Sequence, residues 1–177
     1  MIAGGSVIEY DLAHTGSAWF SECRRYRYSL RRCFAGTVDT PPIKPIVFLM
    51  LNPSTADAFK LDPTIRRCVG FAQAWGYSDL IVANLFAIRE TDSKKLRQNP
   101  ERVGPANDAA IEIIGTLGCP IIAAWGAHPL AADRARDVLY FLRRPLLCLR
   151  KTEKTGAPEH PLYIPGDISP QPWEPRS

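Results

Sequence analysis

The unbroken apolar run Ile46-Val47-Phe48-Leu49-Met50-Leu51 constrains the fold more than any other feature of the chain. A strand with water on one face alternates apolar and polar side chains, so a run that is apolar at every position must be covered on both faces. It is far short of the roughly 20 apolar residues that span a bilayer. Pro41, Pro42 and Pro45 mark an extended approach to it. Leu80-Ile81-Val82-Ala83, Pro120 to Ala124 and Leu146 to Leu149 repeat the pattern further along.

Helical segments separate these strands. Asp62-Pro63-Thr64 opens the first, with an aspartate cap and proline at the first helical position. Ile65, Cys68, Val69, Phe71 and Ala72 give it an apolar stripe, and Gly76 ends it. Asn107 to Leu117 and Pro129 to Leu142 read as further helices. A short one is expected over Ser93 to Gln98, within a long polar loop from Arg89 to Pro105. Strands alternating with helices predict an α/β fold with right-handed crossovers: three layers, α/β/α, around a central four-stranded parallel sheet. The chain reads as one domain over residues 1–177. Residues 1–45 are expected to be an N-terminal extension with a basic hairpin, residues 46–164 the core, and residues 165–177 an extended tail.

Composition narrows the function classes. With 46% hydrophobic and 23% charged residues over 177 positions, the chain can bury a core and is not a disordered polymer. Met1 to Tyr10 lacks a basic segment followed by an apolar one, so a cytoplasmic location without membrane contact is expected. The five cysteines are scattered without a Cys-x-x-Cys pair, and there are three histidines. Neither a disulfide framework nor a structural zinc is expected, and no metal or cofactor is called for. The net charge of +4 permits an anionic partner. Its distribution is more telling: Arg24, Arg25, Arg27, Arg31 and Arg32 interleave with Tyr26 and Tyr28, and Lys94, Lys95, Arg97 and Arg102 form a second group.

Ligands of parallel sheets bind outside the carboxyl ends of the strands. The four strands are followed by Asn52-Pro53-Ser54-Thr55-Ala56-Asp57, by Asn84-Leu85-Phe86-Ala87-Ile88-Arg89, by Trp125-Gly126-Ala127-His128 and, after a longer loop, by His160-Pro161-Leu162-Tyr163. The phosphate-loop, dinucleotide and zinc-deaminase signatures are missing from the sequence. What remains is asparagine, histidine and aromatic side chains. An asparagine is no base at neutral pH, but it can accept a hydrogen bond from a water and aim it. That is enough where a leaving group departs early, as in hydrolysis of an N-glycosidic bond. Asn52 suits the water with Asp57 as a possible aid, His160 suits the departing anion, and Asn84 the edge of the base. Phe86 is a candidate stacking platform, Trp125 a pocket wall, and Arg89 a contact to phosphate or to the base. Pro53, Ser54, His128, Leu162 and Tyr163 complete the expected substrate-binding set. Each has a plainer alternative: a strand-end turn for Asn52, a buried bridge between loops for Asn84, helix or loop caps for His128 and His160, and core for Trp125.

The four segments resemble those of the uracil-DNA glycosylase superfamily. Leu51-Asn52-Pro53 is similar to the water-activating motif of its mismatch-specific branch. Asn84-Leu85 followed by Arg89-Glu90-Thr91 and Lys95-Leu96 is similar to the segment after that branch's second strand. Ala124-Trp125-Gly126-Ala127 and His160-Pro161-Leu162 resemble motifs of the uracil-excising branch. The longer set N-P-S-T-A-D, D-P-T-I-R-R, N-L-F-A-x-R and H-P-L-Y is similar to a bacterial and phage family of uncharacterised domains. The resemblance implies a monomeric, metal-independent, monofunctional DNA glycosylase that flips its base from single- or double-stranded DNA, with Asn52, His160 and Asp57 as catalytic residues. Arg24, Arg25, Arg27, Lys94 and Lys95 would grip DNA phosphates. Asn52 stands where the uracil-excising branch carries aspartate, and Ser54 replaces a glycine, which favours a modified cytosine such as glucosylated hydroxymethylcytosine beside uracil. Antiphage defence is the setting this suggests. A hydrolase or transferase of free nucleosides or nucleotides, and a catalytically silent nucleic-acid-binding module, are the alternatives.

Overall fold

The apolar run forms strand β4 (Pro45–Met50), which lies between β5 (Asp79–Asn84) and β6 (Ile121–Ala123) and runs parallel to both. The structure is a computed structural model, and it describes residues 5–41, 43–54, 59–60 and 62–175. Alternate side chains of β4 enter different cores. Ile46, Phe48 and Met50 pack with helix α1 (Pro63–Ala74), while Val47 and Leu49 pack with α3 (Asn107–Gly115) and α4 (Ala131–Leu142). Helices therefore cover both faces, which is why β4 carries no polar residue. The short helix α2 (Ser93–Gln98) anchors its loop through the buried Leu96.

The sheet is not a central four-stranded parallel one. It is a mixed sheet of eight strands, in the order β1-β2-β3-β5-β4-β6-β7-β8. β5, β4, β6 and β7 (Leu146–Cys148) are mutually parallel. β1 (Ser6–Tyr10), β2 (Gly16–Ser21) and β3 (Arg27–Cys33) add an antiparallel meander beyond β5, and β8 (Gln171–Trp173) adds an antiparallel strand beyond β7.

The segments read as an extension and a tail thus both pair with the sheet. Charge disguised the first of them. In β3, Leu30 sits opposite Val82 of β5, but its neighbours Arg31 and Arg32 read as solvent-facing. Arg31 instead donates from Nε and a terminal nitrogen to Asp79 Oδ1 at 2.9 and 2.6 Å, and to the carbonyls of Val38 and Thr40 at 2.9 and 3.0 Å. A guanidinium satisfied that fully can occupy a strand inside a sheet that it could not enter alone. A bulge shapes the same strand. Trp19 pairs with Ser29 but Phe20 with Arg27, so Tyr28 is the extra residue. Tyr28 joins Trp19 in the α3–α4 core, and Arg27 shares the opposite face with Phe20.

Proline hid the second segment. Trp173 lies opposite Leu146, sets its ring edge-on to Trp125 at 4.9 Å, and donates Nε1 to the carbonyl of Gly156 at 3.0 Å. Trp173→Ala is expected to cost about 3–5 kcal/mol, the range for deleting a buried tryptophan. Urea denaturation measures it, and a loss below about 1 kcal/mol would place β8 outside the cooperative unit.

Among the described residues no helix is long and apolar enough to cross a membrane, and no group of three or more His, Cys, Asp or Glu could hold a metal ion.

Candidate functional site

The rim is assembled first by Asn52. Its Nδ2 donates to the carbonyl of Glu90 at 2.6 Å and to that of Pro53 at 3.2 Å, and the Glu90 N–H donates to the Pro53 carbonyl at 3.0 Å. The loops after β4 and β5 are thereby stitched together, and Oδ1 is left as the acceptor of the Asn52 amide. The strand-end role and a site role are compatible, because the two donated bonds fix where Oδ1 points. Pro53 is buried beside it, and Ser54 Oγ is buried with no hydrogen-bond partner among the described residues. Asp57, the expected aid to the water, lies outside the described residues.

Asp62 caps α1, accepting the Ile65 N–H at 2.8 Å. Its charge favours the charged forms of both Arg27 and His160. His160 begins the 3₁₀ turn Pro161–Tyr163, and its Nδ1 accepts the Leu162 N–H at 3.4 Å. Burial holds its pKa below the ordinary 6.5, with Asp62 opposing, so the ring is neutral at neutral pH. With Nδ1 accepting, the neutral ring carries its proton on Nε2, which is then a donor. The β6 loop passes close by, since a Cβ on Gly126 would lie 3.7 Å from that of His160. Leu162 and Tyr163 are exposed beside it, the Tyr163 ring 6.0 Å from the imidazole. His128 lies in the turn before α4, where its Nδ1 accepts the Leu130 N–H at 3.3 Å without capping the helix itself, and burial, then Arg97, lower its pKa.

Three expected substrate contacts do not reach the open rim. Phe86 is 2% exposed in the α3–α4 core, with the Arg102 guanidinium 5.6 Å from its ring centre, so a base cannot stack on it. Trp125 belongs to the same core, edge-on to Trp173. It contributes instead to a cavity of about 360 Å³ between the β6 loop, α4 and β8, lined also by His128, Ala135 and Pro158. Asn84 is buried beneath the rim, where its carbonyl accepts Asn107 Nδ2 at 3.0 Å. Asn107 also donates to the Leu85 carbonyl at 3.0 Å, which receives Arg134 Nε at 2.9 Å as well, and Arg134 pairs with Asp108. Sequence reasoning missed Asn107 and Arg134. An inward-facing asparagine at a helix start was the only available signal, and Arg134 had none.

The cations divide. Arg24 pairs with Glu9, and Arg25 with Glu101 at 3.1 Å, both at the surface. With Ile88, Arg89, Glu90 and Asn99 they line a shallow groove of about 370 Å³. Arg89 donates to the Arg24 carbonyl at 3.2 Å and lies 5.4 Å over the Phe20 ring. Lys94 and Lys95 are exposed on α2. Arg27 is no surface grip: it is 4% exposed, and burial, then Arg89, push its guanidinium down to about 10 against the pull of Asp62.

Fold and rim together define an α/β protein with a cationic, asparagine- and histidine-bearing edge at the carboxyl ends of its parallel strands. Residues 27–162 match the family described as "Protein of unknown function (DUF1643)", and the chain belongs to that family. The matched stretch opens at Arg27 in β3 and closes at Leu162, so it takes in Asn52, Asn84, Trp125 and His160. No curated protein and no solved structure matches the chain.

Proposed function

We propose that this chain is a cytoplasmic, monofunctional DNA glycosylase that hydrolyses the N-glycosidic bond of a non-canonical base, a modified cytosine such as glucosylated hydroxymethylcytosine or uracil, and leaves an abasic site. The observation that carries the reading is a complementary pair on one rim. Asn52 offers an acceptor whose direction is fixed by two donated bonds, and His160 offers a neutral Nε2–H donor.

In such a reaction the base leaves with the electron pair of the glycosidic bond, and the sugar becomes an oxocarbenium ion. Water aimed by Asn52 Oδ1 adds to the anomeric carbon, and its proton passes to solvent. Nε2–H of His160 stabilises the departing anion, a task that needs a positioned donor rather than a strong acid. Leu162 and Tyr163, exposed beside His160, can hold the place a flipped base vacates. Arg24, Arg25, Lys94 and Lys95 supply phosphate contacts at the surface.

The test is direct. Genomic DNA carrying uracil, glucosylated hydroxymethylcytosine, or ordinary bases alone is incubated with the protein, and abasic sites are read as alkali-labile breaks. Breaks confined to a substituted genome are expected. Base release from free nucleosides or nucleotides, with DNA untouched, would make it a hydrolase of small substrates. Release from neither would leave the rim without this chemistry.

A further inference from the structure

Arg27 is the charged side chain least accounted for by the protein's own contacts. The other inward-facing arginines make internal hydrogen bonds: partly buried Arg31 to Asp79 and two carbonyls, buried Arg32 to the Arg31 carbonyl at 2.9 Å, and buried Arg134 to Asp108 and the Leu85 carbonyl. Among the described residues Arg27 Nε has no hydrogen-bond partner, and none of the ion pairs includes its guanidinium. Arg89 and Arg32 both disfavour its charge. Among the described residues Asp62 alone favours it, and one oxygen of Asp62 is committed to the α1 cap. A guanidinium taken from water without a partner costs several kcal/mol, yet at about 10 its pKa still leaves it protonated at neutral pH. The buried charge therefore calls for an anion from outside the chain.

We propose that Arg27, with Arg89 beside it, is the receptor for a phosphate-class oxyanion carried by the substrate. A guanidinium presents paired N–H groups in a fixed plane that match two oxygens of a phosphate. Arg89 lines the surface groove with Arg24 and Arg25, and its guanidinium lies 5.4 Å from the ring of Phe20, the residue that pairs with Arg27 across β2 and β3. The inference stands on that charge and not on glycosylase chemistry, because binding is measured without turnover.

The oxyanion has two possible sources, a phosphodiester of DNA and the terminal phosphate of a free nucleotide. Thermal unfolding and titration calorimetry of the full chain distinguish them, using inorganic phosphate, a nucleoside 5′-monophosphate, and an oligonucleotide without terminal phosphates, with ionic strength held constant by chloride. At least one probe is expected to raise Tm in a saturable way. Saturation by the oligonucleotide assigns the site to DNA, and saturation by the monophosphate alone assigns it to a free nucleotide. Arg27→Met is expected to melt no lower than the natural protein in phosphate-free buffer and to bind the active probe tenfold to a hundredfold more weakly, on the order of one lost charged hydrogen-bond set. Should Arg27→Met not fold, Arg89→Gln decides: a weakened response supports the site, and a response equal to the natural protein's overturns it. No saturable shift with any probe, or an undiminished one in folded Arg27→Met, overturns it as well.

Discussion

Asn52→Ala is expected to lower single-turnover base release by at least about a hundredfold, because the attacking water loses the group that orients it. Stability should fall by only about 1–2 kcal/mol, since Asn52 is half-buried, the Pro53 carbonyl keeps the Glu90 N–H, and the Glu90 carbonyl is the one that loses its donor. Asn52→Asp separates the two roles of this residue. A carboxylate cannot donate to those carbonyls and would face them with like-signed charge. The aspartate variant should therefore be less stable than the alanine variant at neutral pH, and should recover as the pH is lowered and the carboxyl is protonated. This is also a physical reason for asparagine at this position, because the loops are joined by N–H donors. Single-turnover rates and urea denaturation on both variants make the measurement. Base release by Asn52→Ala near the natural rate would transfer the water to another residue, with Asp57 the first to examine.

His160→Ala should lower turnover by about 2–4 kcal/mol, the range for one donor lost from a developing anion, with a smaller effect on DNA binding. The loss should shrink on a base that is already a good leaving group, because less charge then needs stabilising. Equal losses on two bases of different acidity would make His160 a structural cap of the 3₁₀ turn and nothing more. Its pH dependence has a defined sign. The folded pKa lies below the unfolded value near 6.5 because burial disfavours the imidazolium. The neutral ring's contribution to stability is therefore present above about 6.5 and is lost as pH falls through the lower folded pKa. Protonation also places a hydrogen on Nδ1, against the Leu162 N–H that now donates to it. Turnover and stability should fall together on that acid limb, and His160→Gln should flatten it.

Wherever one local pattern was enough, the sequence determined the element. The apolar run at Ile46 to Leu51 required a strand covered on both faces, and Asp62-Pro63 required a capped helix start; both are present. The order of strands and helices located a rim bearing Asn52 and His160 at the carboxyl ends of parallel strands. Only the tertiary structure decided which charged and aromatic side chains face inward. Arg31 turns into the sheet, partly buried, because Asp79, 48 residues away, meets it there, and Arg134 is buried because its partners lie on β5's loop and α3. No local pattern distinguishes these arginines from the exposed Arg24 and Arg25. Phe86 and Trp125 follow strands in the positions expected of base-stacking residues, yet the packing of α3, α4 and β8 turns them into core. The antiparallel strands were hidden for the same reason. A strand joins a sheet through backbone groups that every sequence carries, so β3 and β8 pair with β5 and β7 whether their side chains read as basic or proline-rich.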